Sequence, residues 1–184
     1  MESIHQLSTN LHLTQVKSPM SKAKHYILSI ILGMFFISSA YSQNLNKYHA
    51  LFIGNFIRYV EWPNTYENPA IGIVGNSKIY MEMKTYLEKQ GKVTVKKIEG
   101  EGDWAECQVI FLPSNQGKLF TSINKKIAGK AILLVTEDEK FAKEGACISF
   151  YLHNGKLRFI VNKSVSKAQN LKISANLLKL AKVI

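Results

Sequence analysis

Cysteine is scarce in this chain. Two residues in 184, Cys107 and Cys147, allow a single pairing and no disulfide framework. Histidine is scarce too, and beyond the first 42 residues only His49 and His153 remain. Neither stands at motif spacing from a serine, cysteine or carboxylate, and no G-x-S-x-G marks a nucleophile elbow. No Cys/His set has zinc spacing. Gly72-Ile-Val-Gly75 lacks both the G-x-G-x-x-G pattern and a following Lys-Ser/Thr, which excludes the standard nucleotide loops. These absences predict a binding protein without catalytic residues, metal or cofactor. Acidic residues are few as well, 13 against 24 basic ones, for a net charge of +11. The lysines are dispersed, with no arginine-rich run or aromatic-basic interleaving, so no nucleic-acid face is predicted.

No apolar run reaches the roughly 20 residues of a membrane span. The longest is the fifteen-residue stretch 26–40, preceded by the basic segment Met20-Ser-Lys-Ala-Lys-His25. That order is a signal-peptide pattern, with small residues Ala40 and Ser42 placed for cleavage after Ser42. Residues 1–42 are therefore read as an extension and signal peptide with a start at Met20, and residues 43–184 as one exported α/β domain. Retention of the stretch as an inner-membrane anchor is the alternative.

The mature part shows strand and helix periods in alternation. A helix is predicted from residue 46 to about Val60, stopped before Pro63. It is apolar nearly all round: Tyr48, Phe52, Phe56 and Tyr59 share one side, and Leu51, Ile53, Ile57 and Val60 extend it. Such a helix is buried on both sides or meets another chain. Strands are expected at 70–74, 93–98, 107–112 and 130–136. Helices are expected at 78–90, N-capped by Ser77, and at 116–127. A short helical turn at 141–145 precedes a hairpin, 146–152 and 157–162, closed by Asn154-Gly155. A single helix is predicted for 163–183. Together these give a Rossmann-like or flavodoxin-like three-layer domain, a mostly parallel sheet with an antiparallel C-terminal hairpin.

Two places are candidates for function. Phe52, Arg58 and Trp62 belong to the greasy opening helix and its end, where a partner would dock; Trp62 is also read as a core anchor, and Arg58 as a snorkelling side chain. Gly75, Ser114 and Glu137 follow strands and so fall at the carboxyl edge of the sheet, where doubly wound folds bind ligands. Glu137-Asp-Glu139 lacks the alternation of a calcium loop and reads as a solvated turn. A small-ligand-binding module at that edge is the rival to docking.

The motif Asn55-Phe-Ile-Arg-Tyr-Val-Glu-Trp-Pro63 resembles the end of the first helix in the YfiR/HmsC-like family. The likeness continues through 107–112, 134–136, 141–145, 155–162 and 171–181. It implies a periplasmic regulator that contacts the extracytoplasmic sensor domain of a membrane-bound diguanylate cyclase or a sensor histidine kinase. Apart from the resemblance, a homodimer is a further expected association. The redox-responsive members carry two cysteine pairs. Here only Cys107, on a familiar family position, and Cys147, where many members are apolar, could form a redox pair.

Overall fold

The computed structural model describes residues 45–184, apart from Lys92 and residues 100–103. The expected signal peptide, the cleavage point and the acidic residues Glu101 and Asp103 lie outside them. Helix α1 covers residues 45–59 and runs directly into a two-residue strand, β1 (Val60–Glu61). Then follow β2 (Ala70–Val74), α2 (Ile79–Leu87), β3 (Thr94–Ile98), β4 (Val109–Leu112), α3 (Phe120–Ile127), β5 (Leu133–Thr136) and α4 (Phe141–Glu144). The chain closes with β6 (Ile148–His153), β7 (Lys156–Val161), α5 (Lys163–Ala168), β8 (Lys172–Ile173), α6 (Ala175–Leu180) and β9 (Lys182–Val183).

Seven strands form the main sheet in the order β3-β2-β4-β5-β6-β7-β9. From β3 to β6 all pairings are parallel, β6 and β7 form the antiparallel hairpin, and β9 returns parallel to β7. The first five strands thus have the flavodoxin-like order, whose direction of winding reverses between β2 and β4. The α/β three-layer fold read from the sequence is the one found. The parallel strands are apolar because helices cover both faces. Ile71, Ile73, Val109, Phe111, Leu133 and Val135 point to one side, into a core shared with α1 and α2. Val74, Ile110, Leu112 and Leu134 point to the other, against α3 and the α4 turn.

Gly72 sits mid-strand for a steric reason. A Cβ there would run into the Ile98 side chain and come within 2.9 Å of Cys107 Sγ, both buried. Gly72→Val is expected to cost about 1–3 kcal/mol through overpacking, read as a lowered urea midpoint. An unchanged midpoint would contradict the packing described.

Two local readings need correction. The long C-terminal helix does not exist. Asn162 caps α5 by accepting from Val165 N–H at 3.0 Å, and Asn170, at φ 58°, turns the chain out of helical geometry. Ser174 then caps α6 through Leu177 N–H, 3.3 Å away. Between the two helices, β8 pairs antiparallel with β1, and Ser174 N–H donates to the Tyr59 carbonyl at 2.9 Å. Asparagine and serine satisfy helix ends better than helix interiors, so tertiary pairing broke an otherwise plausible apolar period. The second correction is smaller. Residues 114–119 wind as a 3₁₀ segment before α3, and Ser77 reaches Ile79 N–H only at 3.4 Å, with Lys78 in the capping position.

Candidate functional site

The outer stripe of α1 and the carboxyl edge of the sheet are the two regions that carry the sequence-predicted residues. On α1, the inner side is formed by His49, Ala50, Ile53 and Phe56, all buried. Phe56 lies in an aromatic cluster, its ring centroid 5.7 Å from Phe150 and 5.1 Å from Phe159. Phe52 is half-buried and packs 5.5 Å from Phe159. Tyr48 and Tyr59, eleven positions apart and hence three turns on one side, remain 53% and 40% exposed. Tyr48, Tyr59 and the partly covered Phe52 therefore make an aromatic stripe on the outside of the molecule, with Asn55 exposed among them. The four-aromatic side expected from sequence is split: Phe56 turns inward, the tyrosines outward.

Arg58 is exposed at the side of this stripe. It lines a cleft of about 410 Å³ with Gly54, Tyr66, Glu67 and Tyr86. Trp62 is half-buried against the core next to a shallower cleft, and its enclosed indole N–H has no hydrogen-bond partner among the described residues. The structure thus leaves Phe52 and Arg58 near an open surface and gives Trp62 mainly a packing role.

At the carboxyl edge the three ligand candidates separate. Gly75, at φ 72°, is covered by Gln116, whose side chain occupies the space a Cβ would need. Ser114 and Glu137 are brought together: Ser114 N–H donates to Glu137 Oε2 at 2.8 Å. Both line a cavity of about 360 Å³ with Leu45, His49, Asp138, Glu139, Phe150, Tyr151, Leu152 and Leu157. This opening lies beside the β5–β6 end of the sheet rather than at the β2/β4 reversal, because Gln116 fills the latter. Behind the edge, the buried hydroxyls of Thr136 and Ser149 bond across β5 and β6 at 2.7 Å.

His49, which stands at no motif spacing in the sequence, is the further member of this cavity. It is 1% exposed, and among the described residues neither ring nitrogen forms a hydrogen bond. Its ring stands edge-on to Phe150 at 4.6 Å. Burial holds its pKa down at about 4, against a weaker opposing pull from the Glu137 charge and the Leu45 backbone one turn earlier. The sign of the consequence follows. The folded state takes up the proton less readily than the unfolded chain, so stability is full above about pH 6.5 and falls as pH drops toward 4. The loss is expected to be about 3 kcal/mol over that window. His49→Phe should flatten the pH dependence of urea unfolding there; an unaltered slope would show that another group carries it. The only sequence signal for this residue was a polar ring inside an otherwise apolar helix.

Cys107 and Cys147 are both buried, no disulfide joins them, and they pack in cores on opposite faces of the sheet. Burial pushes the Cys147 thiol up to about 11, which makes it a poor nucleophile. The two cysteines are accordingly packing residues in this fold, not a formed pair. Among the described residues no group of three or more His, Cys, Asp and Glu side chains could hold a metal, and no helix is long and apolar enough to cross a membrane.

With this geometry in place, comparison with known proteins decides the family. The family model described as YfiR/HmsC-like matches residues 46–182. The chain belongs to the YfiR/HmsC-like family. That family is associated with periplasmic regulation of membrane-bound signalling proteins. No curated protein matches the chain. Among solved structures, a conserved domain protein from Vibrio cholerae O1 biovar El Tor is similar with a TM-score of 0.57 at 12% identity, over 75% of this chain and 59% of that one. An ABC domain from Streptococcus pneumoniae, solved in complex with L-Trp, gives 0.53 at 15% identity, over 63% and 55%. The chain thus spans little more than half the length of either, and at such identities the likeness concerns the fold. Membership in the family agrees with the resemblance carried by the Val-Glu-Trp-Pro segment that follows α1.

Proposed function

We propose that this YfiR/HmsC-like protein is an exported, non-enzymatic regulator that docks on the extracytoplasmic sensor domain of a membrane signalling protein, a diguanylate cyclase or a sensor histidine kinase. The observation that carries the reading is the outward aromatic stripe of α1. Tyr48 and Tyr59 are large, exposed and rigid, Phe52 lies partly covered between them, and Arg58 stands at their side. Tyrosine and arginine are enriched among interface residues that carry binding energy. The excess of lysine favours an acidic partner surface by long-range attraction.

Regulation by docking requires preference for one state of the partner. Moving a sensor from 1:99 to 99:1 takes about 5.5 kcal/mol of differential affinity. Two or three well-buried aromatic anchors can supply that, whereas dispersed surface charges cannot. The test is a photo-crosslinking amino acid placed at Tyr59 in cells. A covalent adduct with a membrane cyclase or kinase is expected. Adducts confined to soluble proteins or to a second copy of the chain would overturn the reading.

A further inference from the structure

The cavity at the carboxyl edge has a composition that docking through α1 does not use. Its inner wall carries His49, buried and with neither ring nitrogen in a hydrogen bond among the described residues. A buried imidazole left this way forgoes hydrogen bonds that water would have supplied, a cost native proteins rarely retain without a reason. At the rim stand Glu137, Asp138 and Glu139. Asp138 is already paired with Lys140 at 3.0 Å. Glu137 is half-buried and held in place by the Ser114 N–H, and no cation among the described residues pairs with it. Leu45, Phe150, Leu152 and Leu157 supply apolar wall.

We infer that this cavity binds a small organic cation, a primary ammonium on a short apolar arm. The ammonium would lie between the Glu137 carboxylate and a ring nitrogen of His49, and the arm would lie along Phe150 and the leucines. The chemistry favours this class over others. An ammonium has three donors and no acceptor, matching a carboxylate together with the lone pair of an imidazole. An anion would meet three carboxylates on an otherwise basic protein. An uncharged apolar molecule would leave His49 as it stands, unpartnered. A metal ion would need more ligands than His49 and Glu137 provide. The inference goes beyond the docking proposal and does not depend on it, because the α1 stripe and the cavity use different residues.

The probe is pentylamine, with pentanoate as its counterpart of similar shape and opposite charge, at pH 7.5. Titration of the isotope-labelled protein, followed by the His49 ring nitrogens in NMR, is expected to show saturable perturbation by pentylamine and none by pentanoate. Glu137→Gln keeps an oxygen for the Ser114 N–H but removes the charge, and should weaken pentylamine at least about tenfold. His49→Phe keeps the edge packed, removes the acceptor nitrogen, and should weaken it as well; Ser149 and Phe150 amide shifts report binding there. Melting curves of both variants verify that they fold. Equal response to both probes, unchanged affinity in folded Glu137→Gln, or perturbation confined to residues away from His49 would each overturn the inference.

Discussion

Phe56→Ala is expected to remove about 3–5 kcal/mol of folding free energy. Its side chain is fully buried and touches rings from both strands of the C-terminal hairpin, Phe150 on β6 and Phe159 on β7. Truncation removes the transfer energy of a benzyl group and leaves a void that surrounding aromatics, held by the sheet, cannot collapse to fill. Against a total stability of roughly 5–15 kcal/mol, that is a large share. The melting temperature should fall by about 10 °C or more. Urea denaturation followed by near-UV circular dichroism checks it. A loss below about 1 kcal/mol would mean that α1 does not pack on the hairpin as described.

The second large effect is expected on the outside of the same helix. Replacing Tyr48 and Tyr59 together by glutamate should leave the fold intact, since both side chains stand largely in water and surface changes of this kind usually alter stability by less than about 0.5 kcal/mol. Partner affinity should nonetheless drop at least about a hundredfold. Each aromatic anchor in an interface centre carries around 2 kcal/mol, and an acid would be desolvated in its place. The two substitutions contrast usefully: Phe56→Ala damages stability, Tyr48→Glu with Tyr59→Glu damages recognition only. A doubly substituted protein that melts normally and still associates with its membrane partner at full strength would remove α1 from the interface.

Much of this organisation was legible in the sequence, and particular residues show why. The apolar runs 70–74 and 107–112 could hardly be anything but covered strands, since nearly every position along them is apolar and turn residues bound them. Asn154-Gly155 announced the hairpin because the turn demands positive φ at both residues, and both adopt it, at 50° and 69°. The Ser114–Glu137 pair at the carboxyl edge was legible from strand order, which places all strand ends of a parallel sheet together. Gly75 was not separable from them by the same reasoning, because a glycine's neighbours lie across space, and here Gln116 is the one that closes over it. His49 was missed for a related reason. Its character comes from Phe150 on β6 and Glu137 just past β5, 101 and 88 positions further along the chain, which come beside it only once the sheet is built.

The amino-acid order by itself determined the α/β alternation, the hairpin, the greasy first helix and the family, since each rests on local period, turn chemistry or a contiguous motif. Only the tertiary structure decided which side of α1 faces water, that residues 163–183 break into two capped helices with pairing strands, that Cys107 and Cys147 lie on opposite faces, and that a partnerless imidazole meets a carboxylate rim. Those outcomes depend on which distant surfaces compete for the same side chain or backbone group. Burial and hydrogen-bond satisfaction are settled by the whole packed chain, and local propensity yields to them wherever the two disagree.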